Sequence, residues 1–248
     1  MSEQTMREYY EENVDRMPGY KGIPMICVDG LHELVAETAR RFISPGQKIL
    51  DVGCGRGAFA RRMHDQGFDV DACDLYDLCM CKDEVNFTCA KAEELDLKQV
   101  YDCVFMIELI EHTESPFDLI RRYGSLVKPG GYLIFTTPNV DSDISRAWFL
   151  LTGRHWYFEQ HNVTGDGHIM PVHDFQVRHH LQESPLRIVD KIDGLENRSV
   201  SPGAFWGLLK LYRLYQKMKG LNSNDGTVSL YVLRKDEDGR FSEEGSVH

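Results

Sequence analysis

No apolar run in this sequence reaches the roughly 20 residues that a membrane-spanning helix needs. The strongest, Tyr101 to Ile110, is interrupted by Asp102 and Glu108. The first residues, Met-Ser-Glu-Gln-Thr-Met-Arg-Glu, contain no apolar signal core. Basic stretches interleaved with aromatics are missing, and acids outnumber bases 39 to 28, for a formal net charge of -11. That balance argues against a phosphate polymer as partner. Two zinc-type cysteine pairs are also missing. The seven cysteines are odd in number, scattered, and mostly sit in apolar runs such as those around Cys54, Cys73 and Cys103. They read as reduced thiols in a cytoplasmic setting. Cys73, Cys79 and Cys81 lie close together, the one place where the spacing leaves a metal or redox role open. Neither an internal repeat nor a low-complexity linker divides the 248 residues, so a single domain is expected.

What the chain does contain is alternation. Leu31 to Phe42 has helical apolar spacing and ends at Ser44-Pro45-Gly46. Lys48 to Val52 reads as a buried strand, Ala58 to Gln66 as a helix, and Phe68 to Cys73 as a second strand ending in Asp74. Val85 to Cys89 is a weaker strand and Tyr101 to Ile107 a strong one. A helix follows over Pro116 to Val127, then the turn Lys128-Pro-Gly-Gly131 and a strand over Tyr132 to Thr137. Strands alternating with helices build a parallel sheet covered on both faces. The stretch from Asp141 to Gln182, rich in Trp, Phe and His, reads as helices and loops above the sheet edge. Leu186 to Ile192 and Thr227 to Leu233 read as closing strands around a helix over Phe205 to Met218.

The segment Asp51-Val-Gly-Cys-Gly-Arg-Gly57 joins a strand to a helix. Glycines there permit positive φ and close approach of a ligand to the backbone, and the first helix amides are free donors. A plain tight turn would look the same. So would a dinucleotide site, since Gly53-x-Gly55-x-x-Ala58 fits that fingerprint and Asp74 lies at the distance of a ribose-binding acid.

The rest of the chain separates these readings. Ile49-Leu-Asp-Val-Gly-Cys-Gly-Arg-Gly-Ala-Phe59, Asp74, Lys91-Ala-Glu-Glu-Leu95, Tyr101 through Glu108-Leu-Ile-Glu-His112 and Leu126 through Thr137-Pro-Asn139 follow one another in a specific order. Together they resemble the class I S-adenosylmethionine-dependent methyltransferases, in particular the ubiquinone-type group with a Thr-Pro-Asn strand end. The resemblance implies an α/β, Rossmann-like fold: a seven-stranded, mostly parallel sheet with an antiparallel last strand, helices on both faces and a helical lid insertion. It divides the single domain into an N-terminal helical cover (1–45), a cofactor-binding core (46–140), an insertion over the acceptor (141–183), closing strands (184–235) and a flexible tail (236–248).

The same resemblance assigns roles. Gly53, Gly55 and Gly57 would let the loop pass under the methionine and ribose of S-adenosylmethionine, and Asp51 would position the ammonium. Asp74 would accept the ribose hydroxyls. Leu75 or Tyr76 would cover one adenine face, and Ala92 and Glu93 would meet its edge, with Lys91 where relatives often carry Asp. Ile107 and Glu108 would pack near the ribose and methionine.

Three readings of Glu108-Leu-Ile-Glu-His112 stay open. It is a pocket-shaping loop, or His112 is a general base oriented by Glu111, or Glu108, Glu111 and His112 hold a divalent metal as the resemblance to ubiquinone-pathway and small-RNA 2′-O-methyltransferases suggests. His161, His168 and His173 are candidates for a further histidine in that last case. Arg146 and Arg154 are candidates to grip an anionic acceptor, Trp148, Phe149, Trp156, Tyr157 and Phe158 to line a pocket, and Tyr20 or Lys21 to touch the cofactor.

The expected activity is O-methylation of a small-molecule acceptor by in-line displacement, with no membrane partner. The rivals are a metal-dependent RNA 2′-O-methyltransferase, a cofactor-binding but inactive partner subunit, and a nicotinamide dehydrogenase.

Overall fold

The computed structural model describes residues 3–13, 17–95, 98–195, 203–221, 223–224 and 226–237; the expected tail beyond residue 237 lies outside the described residues. Seven strands form one sheet: β1 (Lys48–Val52), β2 (Asp69–Asp74), β3 (Asn86–Cys89), β4 (Tyr101–Met106), β5 (Val127–Pro138), β6 (Leu186–Gly194) and β7 (Val228–Lys235). Their spatial order is β3-β2-β1-β4-β5-β7-β6. Strands β1 to β5 pair in parallel, and β7 runs antiparallel to both β5 and β6. The helices are α1 (Glu3–Asn13), α2 (Leu31–Ala39), α3 (Ala58–Asp65), α4 (Pro116–Ser125), α5 (Asp143–Thr152), α6 (Asp174–Leu181) and α7 (Gly203–Met218).

The two-residue period of the strands sorts the core into two layers. Ile49, Cys103 and Phe105 point to the face covered by Leu31 and Val35 of α2 and Phe59 and Met63 of α3. Leu50, Val104 and Met106 point to the face covered by Leu119, Ile120 and Tyr123 of α4 and Val177 of α6. The Phe59 and Phe105 rings meet edge to face at 5.0 Å, a geometry that adds to area burial. Between the layers the buried Tyr101 hydroxyl donates to Asp71 Oδ2 at 2.8 Å, and Lys48 Nζ reaches Asp71 Oδ1 at 2.8 Å. A third, smaller core holds α5 against α7 through Ile144, Ala147, Phe205 and Leu209.

The structure departs from the sequence reading in two places. The Lys128-Pro-Gly-Gly131 turn is absorbed into β5, whose pairing with β4 shifts register between Tyr101 and Cys103. Pro129 has no amide to give to a ladder, so the strand bulges there and resumes at Tyr132. A short hairpin, Gly19–Tyr20 with Ile23–Pro24, was not foreshadowed; two-residue strands carry too little pattern to read. Residues 141–183 do hold helices, α5 and α6, with a wide turn over Asn162–Asp166 between them.

Candidate functional site

The strands β1, β4 and β5 end on one edge of the sheet, and a cavity of about 480 Å³ opens there. Open α/β sheets bind ligands at this edge because the strand-to-helix loops converge there. Residues Gly53 to Arg56 of the glycine bend line the cavity. Gly53 has φ +75°, and a Cβ on it would sit 2.8 Å from Leu109 Cδ1. Its amide and that of Cys54 both donate to the Cys73 carbonyl, at 2.9 and 3.0 Å, which ties the loop to β2.

Asp51 is 1% exposed and lines the cavity, and its Oδ2 has no hydrogen-bond partner. Burial pushes its pKa up to about 8, with Cys79 and the Asp74 carboxylate adding to the effect. A cation arriving beside it would reverse that shift. Asp74 ends β2 with both oxygens in use: Oδ2 accepts from the Gly55 amide at 2.8 Å and Oδ1 from the Tyr76 amide at 3.0 Å. Burial raises its pKa, opposed by those amides.

The residues expected at a nucleoside site divide along this edge. Asp51, Gly53, Gly55, Ile107, Glu108 and His112 all line the cavity. Gly57 caps the start of α3 over Cys79 and Cys81. Leu75 is half exposed, Glu93 is exposed, and the Ala92 carbonyl accepts from the Tyr123 hydroxyl at 2.9 Å. Asp74, Leu75, Ala92 and Glu93 therefore follow the ends of β2 and β3, beside the cavity wall and not in it.

At the other side of the cavity the chain turns sharply after β4. Glu108 takes φ +48°, uncommon for a residue with a side chain. Thr136 holds it there: its hydroxyl accepts from the Glu108 amide and donates to Oε1, both at 2.9 Å. Burial raises the Glu108 pKa to about 7.

A short turn over Ile110–His112 then buries Glu111 completely. Neither Glu111 oxygen makes a hydrogen bond of normal geometry, and the neighbouring Thr137 hydroxyl interacts with the carboxyl only loosely. Burial, then repulsion from Glu108, drives the Glu111 pKa far up.

The segment after Tyr157 closes this corner. The Ile169 and Met170 amides both donate to the Glu111 carbonyl at 3.0 Å, which brings His168 against His112. His168 Nδ1 lies 2.9 Å from the Tyr157 carbonyl. A carbonyl can only accept, so Nδ1 carries a proton, and Nε2 is the ring nitrogen left to act as a ligand atom. Ligand atoms of Glu111, His112 and His168 lie within 4.8 Å of one another. A buried carboxylate without a partner, beside two imidazoles, is a donor set that suits a divalent cation.

Of the three histidines proposed from sequence, His168 is the one that lies beside Glu111 and His112. His173 Nδ1 meets Asp141 Oδ1 at 3.0 Å at the start of α6, and His161 is exposed beside Glu159. Arg146 lies 3.8 Å from Asp141, and Arg154 is exposed. Tyr20 lies under the Arg62 guanidinium and Lys21 pairs with Asp65. Trp148 and Trp156 pack with Phe205, whereas Tyr157 lines the cavity. Sequence reasoning missed His32. It sits in the first turn of α2 against Phe59, lines the cavity, and is held neutral by burial, with a pKa of about 3. A single histidine in an amphipathic helix gave no signal.

A family model described as a methyltransferase domain matches residues 4–191. A ubiquinone biosynthesis O-methyltransferase of Bordetella avium (strain 197N) is 34% identical over 105 residues, 38% of this chain and 44% of that protein. The chain thus spans less than half the length of the curated relatives it matches. A putative sarcosine dimethylglycine methyltransferase from Galdieria sulphuraria superposes with a TM-score of 0.60 at 14% identity, covering 94% of this chain and 99% of that one. A SAM dependent methyltransferase from Archaeoglobus fulgidus gives 0.51 at 19% identity, covering 82% and 94%. At these identities the structural likeness shows the fold.

Proposed function

The chain belongs to the methyltransferase domain family, and from that premise we propose that it moves a methyl group from S-adenosylmethionine to an oxygen of a small-molecule acceptor. One observation carries the reading. A single cavity joins Asp51, whose Oδ2 has no hydrogen-bond partner, and the Gly53 bend to His112 and His168 on its far wall, with the buried Glu111 within reach of both imidazoles. The bound sulfonium supplies an activated methyl carbon, so the protein has to position, desolvate and deprotonate.

The residues divide those tasks. Asp51 would take the ammonium of the methionine moiety. Gly53 and Gly55 leave room for it to lie on the backbone. Asp74, with one oxygen on the Gly55 amide, would accept a ribose hydroxyl with its remaining lone pairs. Leu75, Ala92 and Glu93, further along the same edge, would meet the adenine. Ile107 and Glu108 would form the wall behind the sulfur.

Glu111, His112 and His168 would hold a divalent cation facing the acceptor. Such an ion lowers the pKa of a hydroxyl that it contacts, making it a nucleophile near neutral pH. This reading accounts for the two unpaired Glu111 oxygens, which a base role for His112 leaves unexplained, since Glu111 makes no hydrogen bond to orient the imidazole. Residues 141–183 would form the acceptor side, with Tyr157 and Asn162 lining the cavity. The acidic balance of the chain supports a small acceptor over RNA.

Calorimetry with S-adenosylmethionine and S-adenosylhomocysteine, followed by a panel of phenolic, catecholic and other hydroxyl acceptors with and without Mg²⁺ or Mn²⁺, tests this. Micromolar binding of both nucleosides and metal-stimulated methylation of a hydroxyl is the expected result. Failure to bind either nucleoside at millimolar concentration would overturn it.

A further inference from the structure

Helix α7 carries apolar side chains on two opposite sides, and the fold uses one of them. Phe205 and Leu209 are buried against α5, and the buried Gln216 donates through Nε2 to Asp143 Oδ1 at 2.9 Å. On the other side Leu211, Leu214, Tyr215 and Met218 stand in solvent, 65%, 54%, 51% and 71% exposed. At 3.6 residues per turn these four fall within roughly 100° of one another. Leu221, just past the helix, continues the stripe, and the neighbouring α5 exposes Phe149, Leu150 and Leu151. A contiguous set of large exposed apolar side chains marks an interaction surface.

Charge identifies what covers it. From Gly203 to Leu221 the sequence contains Lys210, Arg213, Lys217 and Lys219 and no acid, in a chain whose net charge is -11. Arg213 leans toward Asp143, 3.9 Å away. Lys210, Lys217 and Lys219 are exposed, and Lys210 and Lys217 run along one side of the apolar stripe. The surface that suits this face is negatively charged on the outside and apolar just beneath.

We propose that α7 docks the protein on an anionic lipid bilayer. Leu211, Leu214 and Met218 would lie at the acyl boundary and the lysines among the headgroups. The described residues include no helix long and apolar enough to cross a membrane; α7 would lie in the interface. The proposal departs from the sequence expectation of no membrane partner, which rested on the lack of an apolar run long enough to span a bilayer.

Flotation of the full chain with phosphatidylcholine vesicles, with and without phosphatidylglycerol, tests the proposal. Binding is expected to the anionic vesicles, weakened by salt. Two variants separate the contributions. Leu214→Glu with Met218→Glu should weaken binding roughly tenfold or more, and Lys210→Glu with Lys217→Glu should remove the preference for phosphatidylglycerol. Circular dichroism and the melting temperature should match the parent, because the replaced side chains are in solvent. Equal vesicle binding by parent and Leu214→Glu/Met218→Glu would overturn the proposal, as would no vesicle binding at all. A dimer in light scattering that this variant splits would overturn it in favour of a second copy of the chain.

Discussion

His112 and His168 stand edge to face, their ring centroids 4.9 Å apart and their planes at 72°. They come from different ends of the fold, one from the turn after β4 and the other from the segment between α5 and α6. The doubled amide contact on the Glu111 carbonyl and the Tyr157 carbonyl on His168 Nδ1 help to hold the second against the first.

If the pair and Glu111 form a cation site, removing one imidazole should remove the ion. His168→Ala and His112→Ala are expected to lose Mn²⁺ affinity by roughly 10- to 100-fold or more, measured by calorimetry on the protein alone. Cofactor affinity should change little while turnover falls. Parent-like Mn²⁺ binding in both variants would return the cluster to a pocket-shaping role.

Asp51 gives a pH signature. Its carboxyl is shifted up to about 8 by burial, above the roughly 3.9 of an unfolded chain. The folded form therefore holds the proton more tightly. The stability this group contributes is complete below about pH 4 and is lost as pH rises through about 8. An ammonium bound beside Asp51 favours the ionised form, so cofactor binding should release a proton. Affinity should rise by up to roughly tenfold per pH unit between pH 6 and 8. Calorimetry in buffers of different ionisation enthalpy would count that proton. In Asp51→Asn the affinity should be weak and flat with pH; a parent-like slope in that variant would sink the assignment.

Asp74 joins the loop to the expected ribose position. Asp74→Ala should weaken S-adenosylmethionine binding by roughly tenfold, about 1.4 kcal/mol. It should also lower stability by about 1–3 kcal/mol, since the Gly55 and Tyr76 amides lose their acceptor. Asp74→Asn keeps an acceptor for one amide, so its stability should recover more than its affinity. Urea unfolding beside nucleoside titration separates the two effects.

Gly57→Ala addresses the packing under the loop. A Cβ there would lie 2.5 Å from Cys81 Sγ and 2.9 Å from Cys79 Sγ, on a backbone with φ +89°. Both the clash and the left-handed conformation oppose it, at a cost of about 1–3 kcal/mol or more in urea unfolding. Cys81→Ala in the same chain should recover the part due to the clash with Cys81 Sγ and leave the contact with Cys79 Sγ and the part due to φ. No recovery would mean that the backbone conformation or the Cys79 contact dominates.

The sheet was legible because its strands are buried on both faces and read as continuous apolar runs, as at Tyr101 to Met106. The glycine bend was legible because it sits at a strand-to-helix junction. Asp51 and Asp74 could be placed by their positions at the ends of β1 and β2. His168 could not be chosen over His161 and His173 from sequence. Its position depends on amides of Ile169 and Met170 reaching the Glu111 carbonyl, a long-range backbone contact with no side-chain signature. Glu111 could be noticed but not weighed, because its lack of partners is a property of the packed turn. The outer side of α7 was hidden for the opposite reason: an apolar helix reads as core whether both its faces are covered or one.

The order of the strands bears on how the chain comes off the ribosome. β7 lies between β5 and β6 although it follows both in sequence. Until Val228 to Lys235 have been synthesised, β6 has no neighbour, and β5 presents an open row of backbone donors and acceptors on its outer side. For that interval the nascent domain carries a sticky edge that another unfinished chain could extend. Chaperone demand and inclusion-body formation should therefore track how fast those last residues are delivered.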